Sequence, residues 1–133
     1  QLIFCGSSLT RKQHLEEYRN IDIALDPFPF NGATTTFEAL AMGVLTISLE
    51  GQHFIDRVSA SLLSAVELGE FVAHSQQEYI NISKDITSDL KSLQNLRLSL
   101  RERLSSSSLC QGNRYARSME NAYRYMWQTW CSY

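Results

Sequence analysis

Apolar side chains return along this chain in two alternating rhythms. Nearly unbroken apolar runs, Leu2–Cys5, Ile21–Leu25, Val44–Leu49 and Phe71–Ala73, alternate with stretches whose apolar positions recur every three or four residues. The runs predict strands and the longer period predicts helices. Thr10 with Gln13 forms a capping box that opens a helix of about ten residues, with Leu15 and Tyr18 facing inward. A second helix is predicted over Ala33 to Met42, stopped by Gly43 as a left-handed cap. Val44–Leu49 reads as a strand buried on both faces, as in a parallel sheet. An amphipathic helix then spans Ile55 to Val66 and closes at Leu68-Gly69.

Ser75 with Glu78 makes a second capping box, for a helix running to about Leu90. Leu93, Leu96, Leu100 and Leu104 continue at helical spacing until four serines, residues 105–108, interrupt. The last helix, about Asn113 to Trp130, carries Tyr115, Met119, Ala122, Met126 and Trp130 on one face. Such a stripe reads as core or interdomain packing rather than a ligand box. Strand and helix alternate four times before helices alone follow. The fold class is therefore α/β: a partial Rossmann-like parallel sheet with right-handed crossovers and a helical C-terminal tail. Four strands are few for an open doubly wound sheet. The chain also begins at Gln1 and enters a strand at once, so it is expected to be a piece of a longer protein.

Composition changes this picture little. The 133 residues are 44% apolar and 20% charged, with a net charge of −2, which points to neither nucleic acid nor a membrane surface as partner. Residues 1–70 carry four basic and nine acidic side chains, and residues 101–133 five and two; the tail reads as a helix of mixed charge. No run has the roughly 18 apolar residues of a membrane span. Cys5, Cys110 and Cys131 are spaced neither as metal ligands nor as a redox pair, so reduced thiols in a cytoplasmic protein are expected.

The most informative stretch is Asp26-Pro27-Phe28-Pro29-Phe30-Asn31-Gly32-Ala33-Thr34-Thr35-Thr36-Phe37-Glu38-Ala39-Leu40. Strand, Pro-punctuated loop and helix start, in that order, make an anion site, because the first helical turn has unpaired N–H groups and about half a positive charge. Backbone amides near Ala33–Thr35 and the hydroxyls of Thr34 and Thr35 could hold a diphosphate, with Gly32 allowing close approach. Glu38, one turn on, could accept from a ribose diol. His14 could stack on a base, and Arg11 sits near the same rim. Each residue also has a plainer reading: the threonines as caps, Glu38 as a partner of the helix dipole, His14 as an exposed helix residue. GxGxxG, GxxxxGK[ST], D-x-D, HExxH and G-x-S-x-G patterns are all absent.

Residues 20–43, with Thr46–Gly51, Arg57–Leu63, Ser8–Tyr18 and the aromatic last helix, closely resemble the C-terminal domain of bacterial O-linked N-acetylglucosamine transferase-like proteins. These are GT-B glycosyltransferases often fused to tetratricopeptide repeats. The resemblance implies that the chain is the C-terminal half of a GT-B fold. It implies UDP-sugar binding by residues 1–104. Residues 105–133 would form a helix packing on this domain or on an N-terminal one outside the chain. Residues Asn31 to Thr35 would cradle the diphosphate, Glu38 would take the ribose, and His14 would stack on uracil. Arg11 would lie near the base, and Leu9 would offer its backbone to the uracil edge. Ala33 departs from the eukaryotic motif, which has a histidine there. The implied reaction is metal-free, cofactor-free inverting transfer of a hexose from UDP to a protein Ser/Thr hydroxyl. The diphosphate-binding lysine, the acceptor site and the acid/base histidines would lie upstream of Gln1. The alternative is a non-catalytic scaffold that keeps the fold.

Overall fold

The computed structural model describes residues 10–132. The strand expected at Leu2–Cys5, Cys5 itself and the uracil-edge position Leu9 lie outside these residues. Thr10 caps α1 (Arg11–Glu17) through the expected box: its hydroxyl accepts from Gln13 N–H, and the Gln13 side chain accepts from Thr10 N–H. A 3-10 turn, Tyr18–Asn20, prolongs α1, and Ile21 N–H closes it on the Tyr18 carbonyl. The first strand, β1 (Ile23–Leu25), therefore starts two residues later than the apolar run suggests.

The loop after β1 contains a cis Phe28–Pro29 bond and leads into α2 (Thr34–Ala41). α2 turns Thr36, Ala39 and Leu40 inward, the i, i+3, i+4 spacing of one helical face. Fully buried Leu40 alone contributes about 1.5–3 kcal/mol. α2 ends where Gly43 takes φ +76°, the left-handed conformation anticipated for it. Its last carbonyls are met from far along the chain: Arg97 Nε donates to the Gly43 carbonyl at 3.0 Å, and Arg101 Nε to the Ala41 carbonyl at 2.9 Å.

Strand β2 (Leu45–Leu49) is buried almost throughout, and β3 (Val72–Ala73) is short. The sheet is parallel, in the order β1-β2-β3, with Ala24 opposite Thr46 and Ser48 opposite Val72. The helix expected over Ile55–Val66 divides into a 3-10 turn, Phe54–Asp56, and α3 (Val58–Ala65), because Arg57 at φ −125° leaves helical geometry. Another 3-10 turn, Gly69–Phe71, replaces the first residue of the fourth predicted strand, Phe71–Ala73.

α4 (Gln76–Ser88) starts at Ser75, whose hydroxyl accepts from Glu78 N–H. Glu78 reaches back to His74 N–H rather than to Ser75, so the second box is made one residue out of place. α5 (Leu90–Ser106) is a separate helix, because Asp89 breaks the run and caps it by accepting from Ser92 N–H. Serines 105 and 106 stay helical, and the break falls at Ser107.

Helices α2 to α5 all pack on β2. Leu40, Leu45, Ile47, Leu63, Leu68, Leu93, Leu100 and Leu104 share the principal core, and Tyr18, Ala39 and Val44 a smaller one beside α1. α6 (Gly112–Cys131) adds nothing to that core: Tyr115, Met126 and Trp130 of its aromatic stripe are exposed, and Met119 and Ala122 half-buried. Among the described residues no helix is long and apolar enough to cross a membrane.

Candidate functional site

The loop between β1 and α2 is held from below by buried polar groups. Asp26, only 4% exposed at the end of β1, accepts from Gly32 N–H through Oδ1 and from the Ser48 hydroxyl through Oδ2, both at 2.7 Å. Its own backbone carbonyl accepts from the Tyr79 hydroxyl of α4 at 3.0 Å. Burial pushes the Tyr79 phenol up to about 12, with the Asp26 carboxylate adding to the effect. Asn31 is buried too. Its amide donates to the Pro27 carbonyl at 3.2 Å, and its N–H to the Ile55 carbonyl at 3.2 Å. Within Asn31–Thr35, then, Asn31 braces the loop from inside.

The three threonines divide. Thr36 is 3% exposed and its hydroxyl lies 2.9 Å from that of Ser59 on α3, which in turn donates to the Gly32 carbonyl at 2.7 Å. Thr34 and Thr35 are exposed, and their hydroxyls have no partner among the described residues. Ala33 stands at the N-cap position without a capping side chain, so the first-turn amides of α2 remain available. Gly32 has no room for a side chain: a Cβ there would lie 2.5 Å from Thr35 Oγ1 and 2.8 Å from Thr36 Oγ1.

α1 brings its residues to the same rim. His14 Nε2 lies 3.3 Å from Glu38 Oε2, joining the expected base-stacking and ribose-binding residues across 24 positions of sequence. Tyr18 packs edge-on against His14, ring centroids 5.6 Å apart, and donates from its hydroxyl to the Thr35 carbonyl at 3.3 Å. Its phenol is raised, first by burial and then by the Glu38 carboxylate. Arg11 opens α1, exposed, with no hydrogen bond or ion pair among the described residues.

Gly32, Ala33, Thr34, Thr35, Glu38 and His14 are thus assembled on one rim, with Arg11 at its margin. A separate cleft lies elsewhere among the described residues. It holds about 660 Å³ at the far end of α2, where Arg97 is paired with Asp22 at 2.8 Å and Arg101 with a backbone carbonyl. Both guanidiniums are occupied there, whereas the amides at the near end of α2 are open.

Sequence reasoning missed Asp26, Ser48, Ser59, Thr36 and Tyr79 as the frame of this site. The available signal was a Ser, Thr or Asp at inward positions of otherwise apolar segments, since a buried polar group requires a partner.

The glycosyl transferase family 41 model matches residues 1–119. Two similar relatives are the probable UDP-N-acetylglucosamine–peptide N-acetylglucosaminyltransferases SPINDLY of Oryza sativa subsp. japonica and Arabidopsis thaliana. Each is 42% identical, over 89% and 92% of this chain respectively. The chain spans only 13% and 14% of their lengths. A solved structure of a mutant Thermobaculum terrenum O-GlcNAc transferase is similar with a TM-score of 0.83 and 41% identity, over 90% of this chain and 23% of that one. The GT-B relationship expected from residues 20–43 and the segments around them is therefore matched in both sequence and fold, and the chain belongs to glycosyl transferase family 41.

Proposed function

We propose that this chain is the donor-nucleotide-binding part of an inverting glycosyltransferase that moves N-acetylglucosamine from UDP to a peptide Ser/Thr hydroxyl. The observation that carries the reading is the convergence of His14, Glu38 and the open start of α2 on one rim, tied together by the His14–Glu38 contact and the Tyr18–Thr35 hydrogen bond. The names of the relatives supply the donor and the acceptor class.

In this reading the diphosphate sits on the amides of Ala33, Thr34 and Thr35, with the two exposed threonine hydroxyls as further donors. Glu38 receives the ribose hydroxyls and His14 faces the base. As the sugar–phosphate bond breaks, negative charge grows on the departing diphosphate. Amides already aimed at that charge, at the positive end of α2, favour the transition state over the ground state. No metal is assigned to the step. The acceptor, a diphosphate-binding lysine and the proton-transferring groups belong to regions outside this chain. The free, exposed Cys110 and Cys131 suit the reducing cytoplasm to which we assign the protein.

Calorimetric titration of the full-length protein with UDP tests the reading. Wild type binds, and Glu38→Ala weakens UDP by about tenfold while leaving inorganic pyrophosphate within about twofold, as the loss of hydrogen bonds to a charged acceptor predicts. Equal losses for both ligands would remove the ribose assignment, and no UDP binding by wild type would remove the donor site.

A further inference from the structure

The two peptides that meet at Gly32 are each held by a buried side chain. Asp26 Oδ1 takes the Gly32 N–H at 2.7 Å, and the Ser59 hydroxyl donates to the Gly32 carbonyl at 2.7 Å. Ser59 has one proton, and a carbonyl can only accept. In the Ser59–Thr36 pair the donor must therefore be Thr36, giving a buried relay from Thr36 Oγ1 to Ser59 Oγ to the Gly32 carbonyl. Both hydroxyls are sealed from solvent, Ser59 at 0% and Thr36 at 3% exposure, so water does not substitute for either. Successive hydrogen bonds in such a chain polarise and strengthen one another.

The peptide is trans, the cis bond of this loop being Phe28–Pro29. In a trans peptide the C=O and the following N–H point in opposite directions. A Gly32 carbonyl pinned inward on α3 fixes the Ala33 N–H outward, on the side of the exposed Thr34 and Thr35. Rotating that peptide would leave the Ser59 proton buried without an acceptor and turn a carbonyl dipole toward the anion.

We infer that Ser59, supported by Thr36, is a positioning residue that locks the Gly32–Ala33 peptide with its N–H facing the donor diphosphate. The inference rests on the donor-site reading above and assigns to α3 a part in ligand binding although none of its own residues lies on the rim. Glycine at position 32 fits the same picture, because the tight packing of Thr35, Thr36 and Asp26 around it leaves the peptide a single seat.

The test uses the full-length protein with two probes, UDP by calorimetry and uridine by ligand-observed NMR. Uridine shares the base and ribose contacts but has no phosphate to sense the peptide. Ser59→Ala is expected to weaken UDP about tenfold and uridine by less than about twofold, the effect of one misdirected hydrogen bond to an anion. Thr36→Val, which keeps the shape and removes the first donor of the relay, gives the same selectivity at about threefold. It carries the test if Ser59→Ala does not fold. Equal losses for UDP and uridine would make Ser59 a merely structural hydroxyl and overturn the lock, as would no loss for either. Wild type binding neither probe would instead overturn the donor-site reading.

Discussion

Replacing Gly32 by alanine adds a single methyl group at the most crowded point of the site. The new carbon would stand 2.5 Å from Thr35 Oγ1, 2.8 Å from Thr36 Oγ1 and 3.1 Å from Asp26 Oδ1. All three are inside the roughly 3.5–4.0 Å at which non-bonded atoms attract. Thr35 is exposed and can turn aside, at a cost of about 0.5–1.5 kcal/mol. Thr36 cannot, because its hydroxyl is buried against Ser59 and shifting it breaks that bond, a cost of about 1–3 kcal/mol for a buried polar group. With residual strain from overpacking, the destabilisation is about 2–5 kcal/mol.

For a domain of this size that is a fall of about 8–20 °C in the unfolding midpoint. Gly112→Ala is the matching control. A Cβ at Gly112 meets no atom within 4 Å, and the same loss of unfolded-state freedom should leave that variant unchanged or about 0.4–1 kcal/mol more stable. Thermal unfolding followed by circular dichroism separates the two variants. A Gly32→Ala protein melting within about 2 °C of wild type would mean a clash of under about 1 kcal/mol, and would refute the claim that the loop is packed to contact.

Two further outcomes follow from groups already described. Tyr79 is held protonated by burial and by Asp26, so its stabilising share is complete below pH 10 and lost as pH rises from 10 through about 12. Ultraviolet titration should show a late-ionising tyrosine that Tyr79→Phe removes, with a loss of about 1 kcal/mol at neutral pH for the missing bond to the Asp26 carbonyl; an unchanged late phase in the variant would reassign it. If helix amides and side chains alone carry the leaving diphosphate, excess EDTA should leave transfer by the full-length protein unaltered, and a loss of activity restored by magnesium would overturn that account.

The elements that could be read from the sequence are those whose signals are local. Thr10 with Gln13, and Gly43, announce helix ends through their own side-chain chemistry, and Val44–Leu49 announces a strand buried on both faces. The rim residues were legible for a similar reason: Gly32, Thr34, Thr35, Glu38 and His14 belong to a contiguous motif and one nearby helix. What escaped depends on distant partners. Ser59 looks like any serine of an amphipathic helix until the Gly32 carbonyl arrives from 27 residues away. Tyr79 looks like an interfacial aromatic until Asp26 supplies its acceptor across 53 residues. Asp89 was missed differently. The helix was expected to run to about Leu90, one residue past the cap that Asp89 makes by accepting from Ser92 N–H.

The arginines at the far end of α2 set a limit on how this molecule can be cut. The helix whose first-turn amides lie open is finished, at Ala41 and Gly43, by side chains from α5. An expression boundary placed after α4, at Ser88, would preserve every rim residue yet strip Arg97 and Arg101 from the opposite pole and uncover Leu40 and Leu45, which share a core with Leu93 and Leu100. A fragment that keeps both ends of α2 and this core therefore has to run through Ser106, whereas α6 contributes no residue to the core.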